Sequence, residues 1–395
     1  MRVLAATTAG AGHFAGLLPF ARACVRAGHE VRVAAPASFA STVEEAGFVH
    51  QPLADADPPA LGAVFGRIPT LSRREADDLV ITEVFGRLDR DAALPGMRAA
   101  VEEWRPDVVL REPAELASYV VATERDIPHV QTNIGLSALD DRFLPLLTRT
   151  LEDLDCPSTA LTSAPRWTTV PPSFDRPAAT STGAVTAGRE PRHDRQGEQP
   201  LPGWWSSDDD RPLAYVTFGS VAAGIGLFPA FYARVLDQLA EVPARVLLTL
   251  GQAGDPAGLG HVPPNVHVER WWPQRDVLAH AAVVIGHGGF GTTQAALEAG
   301  VPQIVLPLFS FDQFVNAERV ADVGVGVALL DDTPVESRAG DLVPRGPAAT
   351  DGLADAVGAV LGQREFSDRA QELAREVERL PVVDACVEAL DALSG

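Results

Sequence analysis

The sequence predicts an α/β protein of two domains, each built on a doubly wound parallel sheet. Short apolar strands alternate with helical segments from the N-terminus onward, which is the pattern of parallel sheets covered by helices. The same alternation begins again at Leu213, after a long polar stretch. The length of 395 residues, of which 46% are hydrophobic, is enough for two domains with a core each.

The first half of the chain supplies the elements of the first predicted sheet. Its strands are short apolar runs, and its first helix has Leu17, Leu18, Ala21 and Val25 near one face before Gly28 ends it. The predicted elements are strand Arg2 to Thr7, helix Phe14 to Ala27, strand Val31 to Ala35, helix Ser38 to Ala46, strand Val49 to Leu53, helix Ala92 to Trp104, strand Asp107 to Leu110, helix Leu116 to Glu124 and strand His129 to Thr132.

Two stretches depart from this alternation. Asp55 to Asp91 is rich in turn residues and then in charge, and we interpret it as a helical insertion over the sheet edge that serves as a substrate lid. From about Pro171 to Arg211 the composition shifts to Pro, Gly, Thr, Ser and charged residues, which is typical of an interdomain linker. The predicted division is an N-terminal domain at 1–190, a linker at 191–212, a C-terminal domain at 213–378 and a final helix at 379–395 that packs back on the N-terminal domain.

The second half repeats the pattern of the first. Because ligands of such sheets bind beyond the carboxyl ends of the strands, we expect the ligand site in a cleft between the two halves. The predicted elements are strand Ala214 to Phe218, helix Phe228 to Ala240, strand Val246 to Leu250, a strand near Val266, strand Ala282 to Ile285, strand Ile304 to Leu306, helix Asp312 to Asp322 and a helical region from about Asp351 to Leu393.

Charge and cysteine content limit the partners and the compartment. The chain has 32 Lys+Arg against 53 Asp+Glu, a formal charge of -21, so neither nucleic acid nor an anionic membrane is expected as a partner. Cys24, Cys156 and Cys386 lie far apart without paired spacing, which argues against disulfides and fits a reducing cytoplasm. The N-terminus resembles a first strand rather than a signal peptide, and no run of about 18 or more apolar residues predicts a membrane span.

The stretch Trp271 to Asn316 carries the clearest binding pattern. Its apolar run leads into the turn Gly286-His287-Gly288-Gly289-Phe290-Gly291-Thr292-Thr293, and a helix-forming stretch follows. Glycines let the backbone approach a ligand, while N–H groups and the two threonine hydroxyls meet at a helix N-terminus with partial positive charge. The pattern predicts a site for a phosphate or diphosphate.

His13 is the candidate catalytic base. It lies in the first βα turn, where an imidazole held by a carboxylate is suited to taking a proton from a hydroxyl at neutral pH. Glu112 follows the strand Asp107 to Leu110 and is the first choice of partner, and Glu115 is the second. The alternative is a surface or helix-capping histidine beside solvated acids.

Two other sequence patterns could belong to a nicotinamide site and to a metal site, but neither site is expected. Gly10, Gly12 and Gly16 come close to a dinucleotide fingerprint, but the spacing is one residue too long and the second strand ends without an acid, so a nicotinamide site is not expected. The run Asp208-Asp209-Asp210 lies in the polar linker before a strand, which is typical of solvated charge. We therefore predict neither a structural nor a catalytic metal.

Nearly the whole chain resembles the nucleotide-sugar-dependent glycosyltransferases of GT-B fold, in particular the actinomycete type that glycosylates polyketide-like natural products with TDP-deoxysugars. The resemblance rests on four elements in order, W-x-P-Q, H-G-G-x-G-T-T, G-V-P and D-Q-x-x-N-A. Gly10-Ala11-Gly12-His13 with Leu18-Pro19, Leu201 to Trp205 and Val216 to Ser220 add to it.

The resemblance implies a role for each matching residue of the donor site. Trp271 would stack on the donor base, the Trp272 backbone would bind the base edge, and Gln274 would lie near the ribose. His287 would bind the diphosphate, and Asp312 with Gln313 would grip hydroxyls of the donor sugar. The remaining implied diphosphate contacts are Gly288, Gly289, Gly291, Thr292 and Thr293, with Gly219 and Ser220 from the first turn of the C-terminal domain.

The family also implies an inverting single displacement, in which His13 is the base, Glu112 supports it, and no cofactor or metal takes part beyond the nucleotide sugar. One position departs from the plant relatives, whose ribose-binding glutamate is replaced by Ala295, with Glu298 three residues further on. The acceptor, a small hydrophobic aglycone, is expected on the N-terminal half, while Phe290 either packs or walls the pocket. The acceptor candidates are Phe65, Ile68, Phe85, Leu136, Phe143 and Phe290.

Two alternatives to a transferase stay open at this point. A sugar-nucleotide epimerase of similar fold would convert the donor without an acceptor, and a non-catalytic partner would stabilise another transferase. The expected oligomeric state is a monomer or a homodimer.

Overall fold

The computed structural model describes residues 1–154, 156–191, 201, 204, 209–251, 253–330 and 350–390. The chain forms two compact units, one of Met1–Asp194 with Leu380–Gly395 and one of Arg195–Arg379. Most of the predicted linker at 191–212, including Pro202, Gly203, Trp205 and Asp208, lies outside the described residues. None of the described helices combines the length and the apolar character needed to cross a membrane.

The first unit contains a seven-stranded parallel sheet in the order β3-β2-β1-β4-β5-β6-β7. The chain proceeds from β1 outward to β3 and then returns to pair β4 with β1, so β1 and β4 flank the point where the strand order reverses. The strands are β1 (Arg2–Ala6), β2 (Glu30–Pro36), β3 (Val49–Leu53), β4 (Val108–Arg111), β5 (His129–Thr132), β6 (Arg166–Thr168) and β7 (Val185–Ala187).

The helices of this unit cover both faces of the sheet. Alternate side chains of one strand belong to different core clusters: Val3 and Ala5 pack with α1, whereas Leu4 and Ala6 pack with α5 and α6. The helices are α1 (Ala11–Arg26), α2 (Ala40–Glu45), α3 (Pro58–Phe65), α4 (Arg73–Leu79), a π-helical segment (Val80–Asp89), α5 (Arg90–Trp104), α6 (Ala117–Glu124), α7 (Asp140–Leu151) and α8 (Thr159–Ser163).

The second unit contains a six-stranded parallel sheet in the order β10-β9-β8-β11-β12-β13, with its reversal between β8 and β11. The strands are β8 (Leu213–Thr217), β9 (Arg245–Thr249), β10 (Val266–Glu269), β11 (Ala281–Gly286), β12 (Gln303–Val305) and β13 (Gly326–Ala328). The helices are α9 (Ala230–Leu239), α10 (Gln274–Leu278), α11 (Phe290–Ala299), α12 (Phe311–Asp322), α13 (Leu353–Gly362) and α14 (Arg364–Arg379).

The end of the chain packs on the first unit. Cys386 of helix α15 (Asp384–Val387) and the flanking residues Val383 and Leu390 belong to the core cluster that contains α1. Asp384 accepts two hydrogen bonds from the Arg26 guanidinium, at 2.8 and 2.7 Å. Apolar burial and a bidentate ion pair therefore hold this segment on α1.

The predicted class of two doubly wound parallel sheets is confirmed, whereas several elements differ from the prediction. The polar stretch from Pro171 was interpreted as linker, but it contains β7, a three-residue edge strand that pairs with β6. Short edge strands need little apolar sequence because one side has no partner strand. The insertion is helical as predicted, and its π-helical segment continues directly into α5.

Candidate active site

His13 and Glu112 meet at the strand reversal of the first unit. His13 lies in the first turn of α1, which follows β1, and Glu112 directly follows β4. Because β1 and β4 are neighbours, their carboxyl ends bring His13 Nδ1 to 3.1 Å from Glu112 Oε2. The imidazole side chain is 23% exposed, whereas the carboxylate is fully buried. This arrangement fixes Nδ1–H on the carboxylate and leaves Nε2 as the nitrogen that can accept a proton.

Backbone N–H groups hold Glu112 in its charged form. Thr8 N donates to Oε1 at 3.1 Å and Ala114 N donates to Oε2 at 2.7 Å. Burial opposes ionisation, but His13 and these two N–H groups outweigh it, so the pKa of Glu112 lies below its ordinary value. Glu112 is therefore an ionised partner for the imidazole at neutral pH.

The second candidate partner, Glu115, is directed elsewhere. Its carboxylate binds the backbone N–H of Ser118, at 3.1 Å for Oε2, and the Ser118 hydroxyl, and burial raises its pKa. The Arg111 guanidinium braces the same loop, donating to the carbonyl oxygens of Pro113 at 3.0 Å and Glu115 at 3.1 Å. The structure thus brings Glu112, and not Glu115, to His13.

Phe85 forms an apolar wall beside His13. Its ring centroid lies 5.4 Å from that of His13, with the planes tilted by 52°. Phe85 belongs to the π-helical segment of the insertion, so the insertion contributes directly to the surroundings of His13. A hydrophobic ring at this position favours an apolar molecule beside His13.

The other acceptor candidates occupy varied positions. Phe65 is 48% exposed, whereas Ile68 and Leu136 are 5% and 2% exposed. Phe143 packs against the core cluster that includes α5 and α7, and Phe290 begins α11 in the second unit. Contact of these five side chains with an acceptor stays a prediction.

The glycine-rich turn of the second unit joins β11 to α11, at the strand reversal beside β8. Its Ncap residue, Gly289, has no side chain to cap the helix, so the first N–H groups of α11 are available to a ligand. His287 is 9% exposed, and burial lowers its pKa to about 4, so the imidazole is neutral at pH 7. Its Nδ1 is buried without a partner among the described residues.

Gly219 lies against His287 because β8 and β11 are paired. A Cβ added at Gly219 would stand 2.9 Å from His287 Cε1, and Gly219 has a φ of +73°. Both space and backbone conformation therefore require glycine at this position. Ser220 follows it and is exposed.

Asn316 fixes the conformation of the turn. Its Nδ2 donates to the carbonyl oxygen of Gly288 at 2.7 Å, and its side chain is fully buried. Gly288 has a φ of +84°, and an added Cβ would stand 2.8 Å from the Gln313 carbonyl oxygen. By turning the Gly288 carbonyl toward α12, Asn316 keeps it away from the face of the turn that would meet an anion.

The remaining donor candidates differ in burial and in their contacts. Gln274 donates to the Thr292 hydroxyl at 3.1 Å, which joins α10 to the start of α11. Thr293 is buried, Gly291 is exposed, and Trp271 is 58% exposed, as a base-stacking side chain needs to be. Trp272 instead packs partly buried on a core cluster.

The Asp312 and Gln313 side chains accept hydrogen bonds from neighbouring groups of the second unit. Gln313 is 2% exposed, and its Oε1 accepts hydrogen bonds from Leu308 N at 2.7 Å and Phe309 N at 3.0 Å. Asp312 accepts from the Ser310 hydroxyl. Gln313 therefore shapes the loop after β12, and its implied grip on sugar hydroxyls stays a prediction.

The ribose position expected from the plant relatives has no acid of its own. Ala295 occupies it, and Glu298, nearly one turn away, accepts from Gln294 at 3.2 Å and lies 3.7 Å from Arg275. In the described part of the chain, no group of three or more His, Cys, Asp or Glu side chains forms a metal site. Asp209, from the acidic run of the linker, binds Arg211.

Sequence reasoning missed two residues of these sites. Asn316 belongs to the quoted D-Q-x-x-N-A element, and its fixed spacing from Gln313 was the available signal. Asp89 ends the π-helical segment and lines a small cavity with Thr8 and Ala114, and the charge-rich sequence around it gave no signal of that position.

Comparison with known proteins identifies the family of the chain. Residues 233–393 match the C-terminal domain model of erythromycin biosynthesis protein CIII-like proteins, and residues 22–219 match the N-terminal domain model. An L-demethylnoviosyl transferase of Streptomyces niveus is 33% identical over 84% of this chain and 86% of its own length. The elloramycin glycosyltransferase ElmGT of Streptomyces olivaceus is 32% identical over 96% and 94%.

Solved structures of glycosyltransferases share the fold of this chain. The glycosyltransferase VinC in complex with dTDP has a TM-score of 0.75 at 22% identity, covering 100% of this chain and 99% of its own. SnogD from Streptomyces nogalater has a TM-score of 0.72 at 26% identity, with the same coverage. The chain therefore belongs to the erythromycin biosynthesis protein CIII-like glycosyltransferases, enzymes of antibiotic biosynthesis with the GT-B fold.

Proposed function

We propose that the protein is an inverting glycosyltransferase that moves a deoxysugar from a thymidine diphosphate donor to a hydroxyl group of a hydrophobic natural product. The observation that carries this proposal is the 3.1 Å contact between His13 and the buried, ionised Glu112. Such a pair is suited to deprotonating an alcohol, because the carboxylate stabilises the imidazolium that forms.

The reaction is a single displacement. His13 Nε2 takes the proton of the acceptor hydroxyl while the oxygen attacks the anomeric carbon of the donor, and the bond from that carbon to the diphosphate oxygen breaks with its electron pair leaving on the nucleoside diphosphate. Attack opposite the leaving group inverts the anomeric centre. The proton ends on the imidazole, and Glu112 balances its charge.

The second unit takes the leaving group. The uncapped N-terminus of α11, the Thr292 hydroxyl and neutral His287 supply hydrogen-bond donors and partial positive charge to a diphosphate. His287 is suited to donate a hydrogen bond to the diphosphate rather than to pair with it as a cation. This proposal needs no metal and no cofactor besides the nucleotide sugar.

Two observations favour thymidine diphosphate as the nucleotide of the donor. The solved structures of VinC and of the SsfS6 glycosyltransferase contain dTDP and thymidine diphosphate, respectively. In the present chain, Ala295 occupies the position where the plant relatives have a ribose-binding glutamate, and Glu298, three residues further on, is bound to Gln294 and Arg275. A donor lacking the ribose 2′-hydroxyl has less need of an acid there.

The test combines turnover with donor binding. Incubation with a TDP-deoxysugar and a polyketide aglycone should yield the glycoside by mass spectrometry, and His13→Ala should abolish it while TDP binding by calorimetry is retained. His29→Ala, at a position outside the site, is the matched control and should keep turnover.

Each of the other possible results would support a different interpretation of the protein. Full turnover in His13→Ala would refute the proposed base, and conversion of the donor without an acceptor would indicate an epimerase. Failure of the parent protein to bind any nucleoside diphosphate would indicate a non-catalytic partner of another transferase.

A further inference from the structure

A second carboxylate lies in the same region of the first unit as the proposed base. The π-helical segment Val80–Asp89 passes His13, against which it places the Phe85 ring, and four residues later it ends at Asp89. Successive turns of one helical segment therefore present a hydrophobic ring and an acid toward the same region. π-helical geometry is rare and occurs frequently at functional sites.

Asp89 shares a small cavity with the backbone that holds Glu112. The cavity is lined by Thr7, Thr8, Asp89, Ala114 and Glu115, among others. Thr8 and Ala114 are the two residues whose N–H groups bind the Glu112 carboxylate. The Thr8 hydroxyl in the same place is buried without a partner among the described residues. Asp89 thus lies near the loops that follow β1 and β4, which also hold the Glu112 carboxylate.

We propose that Asp89 is a positioning residue of the base, whose negative charge, added to that of Glu112, favours the imidazolium formed when His13 accepts the acceptor proton. The proposal rests on the proposed role of His13 as the base. It gives the helical insertion a part in the chemistry, because the insertion carries Asp89 to the pair.

The electrostatic surroundings agree with this role. Burial raises the pKa of Asp89 to about 6, and repulsion by Glu112 and Asp55 adds to the effect while His13 opposes it. Asp89 is therefore ionised at the neutral to weakly alkaline pH at which His13 must act as a free base. As the pH falls through about 6, Asp89 takes a proton and its support for the imidazolium is lost.

The charged side chains on the elements packed around Asp89 are bound to other groups. On the packed elements, Arg142 of α7 binds Asp78 of α4, and Asp140 of α7 binds Arg166. Arg90 donates to Asp91 and to the Thr150 carbonyl oxygen. Besides His13, the charged groups that face the region are the acids Asp55, Glu112 and Glu115 and the Arg90 side chain, which lines the same cavity while it pairs with Asp91.

The test measures the titration of the imidazole directly. In full-length protein labelled at histidine, NMR follows the His13 ring signal with pH, and His13→Gln assigns that signal. Asp89→Asn should lower the titration midpoint by roughly 0.5 to 1 pH unit, as expected on removing one nearby carboxylate. The acid limb of the pH profile of kcat/KM should move by the same amount in the same direction.

Two further variants separate charge from structure. Asp89→Glu keeps the charge and should keep the midpoint near that of the parent, and Glu83→Gln removes a carboxylate of the same segment that pairs with Arg87 at the surface, so it should leave the midpoint unchanged. Asp89→Asn should be at least as stable as the parent at pH 7.5, because an acid whose pKa rises on folding disfavours the folded state once it is ionised.

An unchanged His13 midpoint in folded Asp89→Asn would overturn the proposal, as would an equal shift in Glu83→Gln. The ring titration needs no substrate, so it tests Asp89 even when the proposed transfer fails. Conversely, loss of turnover in His13→Ala together with an unmoved midpoint in Asp89→Asn would leave the proposed function intact and reject the role of Asp89.

Discussion

Replacing Glu112 by glutamine tests the proposed pair at its buried member. The substitution keeps the size of the side chain but removes the charge that lies 3.1 Å from His13 Nδ1. A glutamine amide can also donate to Nδ1, which would place the proton on Nε2 and block the nitrogen that must accept one. We therefore expect Glu112→Gln to fold and to bind donor but to transfer slowly.

The expected magnitude follows from the distance. Two unit charges 3.1 Å apart attract by about 5 kcal/mol at an effective dielectric constant of about 20. If about half of the imidazolium charge has developed in the transition state, the loss is about 2 to 3 kcal/mol, which is about 30- to 150-fold in kcat. Stopped assays of product formation at saturating donor and acceptor measure this loss.

Glu115→Gln is the matched control for this substitution. It removes a buried carboxylate from the same loop, but one that binds Ser118 instead of His13. Its kcat should stay within about threefold of the parent, because no proton-transfer group is touched. Retention of kcat in Glu112→Gln, combined with a large loss in Glu115→Gln, would refute the assignment of the partner.

The remaining predictions concern the second unit. Asn316→Ala removes the buried 2.7 Å hydrogen bond to the Gly288 carbonyl, so calorimetry should show TDP binding weakened about 5- to 30-fold, or about 1 to 2 kcal/mol, and an unchanged Kd would contradict the role of Asn316. His287 has a pKa of about 4 in the folded chain against an ordinary 6.5, so the unfolded chain binds its proton first and stability falls as pH drops from about 6.5 to about 4. This contribution reaches about 3 kcal/mol at the acid end, and urea titrations should show a smaller acid loss in His287→Asn if the burial argument holds.

Alternation of strands and helices determined the fold class because each element has a local signal. A buried parallel strand such as β8 is a run of apolar residues, and a helix such as α12 repeats its apolar residues every three or four positions. Elements with weak local signals were missed. Strand β7 has three residues and two exposed side chains, and the Val80–Asp89 segment has a helical sequence whose π-helical hydrogen bonding has no sequence pattern that would reveal it.

The glycine-rich turn could also be predicted from the sequence alone. A strand, a run of glycines and a helix follow one another within Trp271 to Asn316, so every part of the turn is local. His13 and Glu112 were predicted as candidates because each follows a strand. Their contact across 99 positions exists because β4 returns to pair with β1, and Glu115 could be set aside only once its bonds to Ser118 were seen.

Sequence by itself determined the two parallel sheets, the family and the turn suited to a diphosphate, since these depend on residues that are close together along the chain. Only the tertiary structure decided which acid holds His13, that Asn316 fixes the Gly288 carbonyl, and that the insertion places Phe85 against His13 and Asp89 in a cavity with Thr8 and Ala114. These contacts join residues that are distant in sequence, and burial sets the charge of their acids and imidazoles. No local sequence pattern predicts these contacts or this burial, because both arise only when the strands pair and the helices cover the sheets.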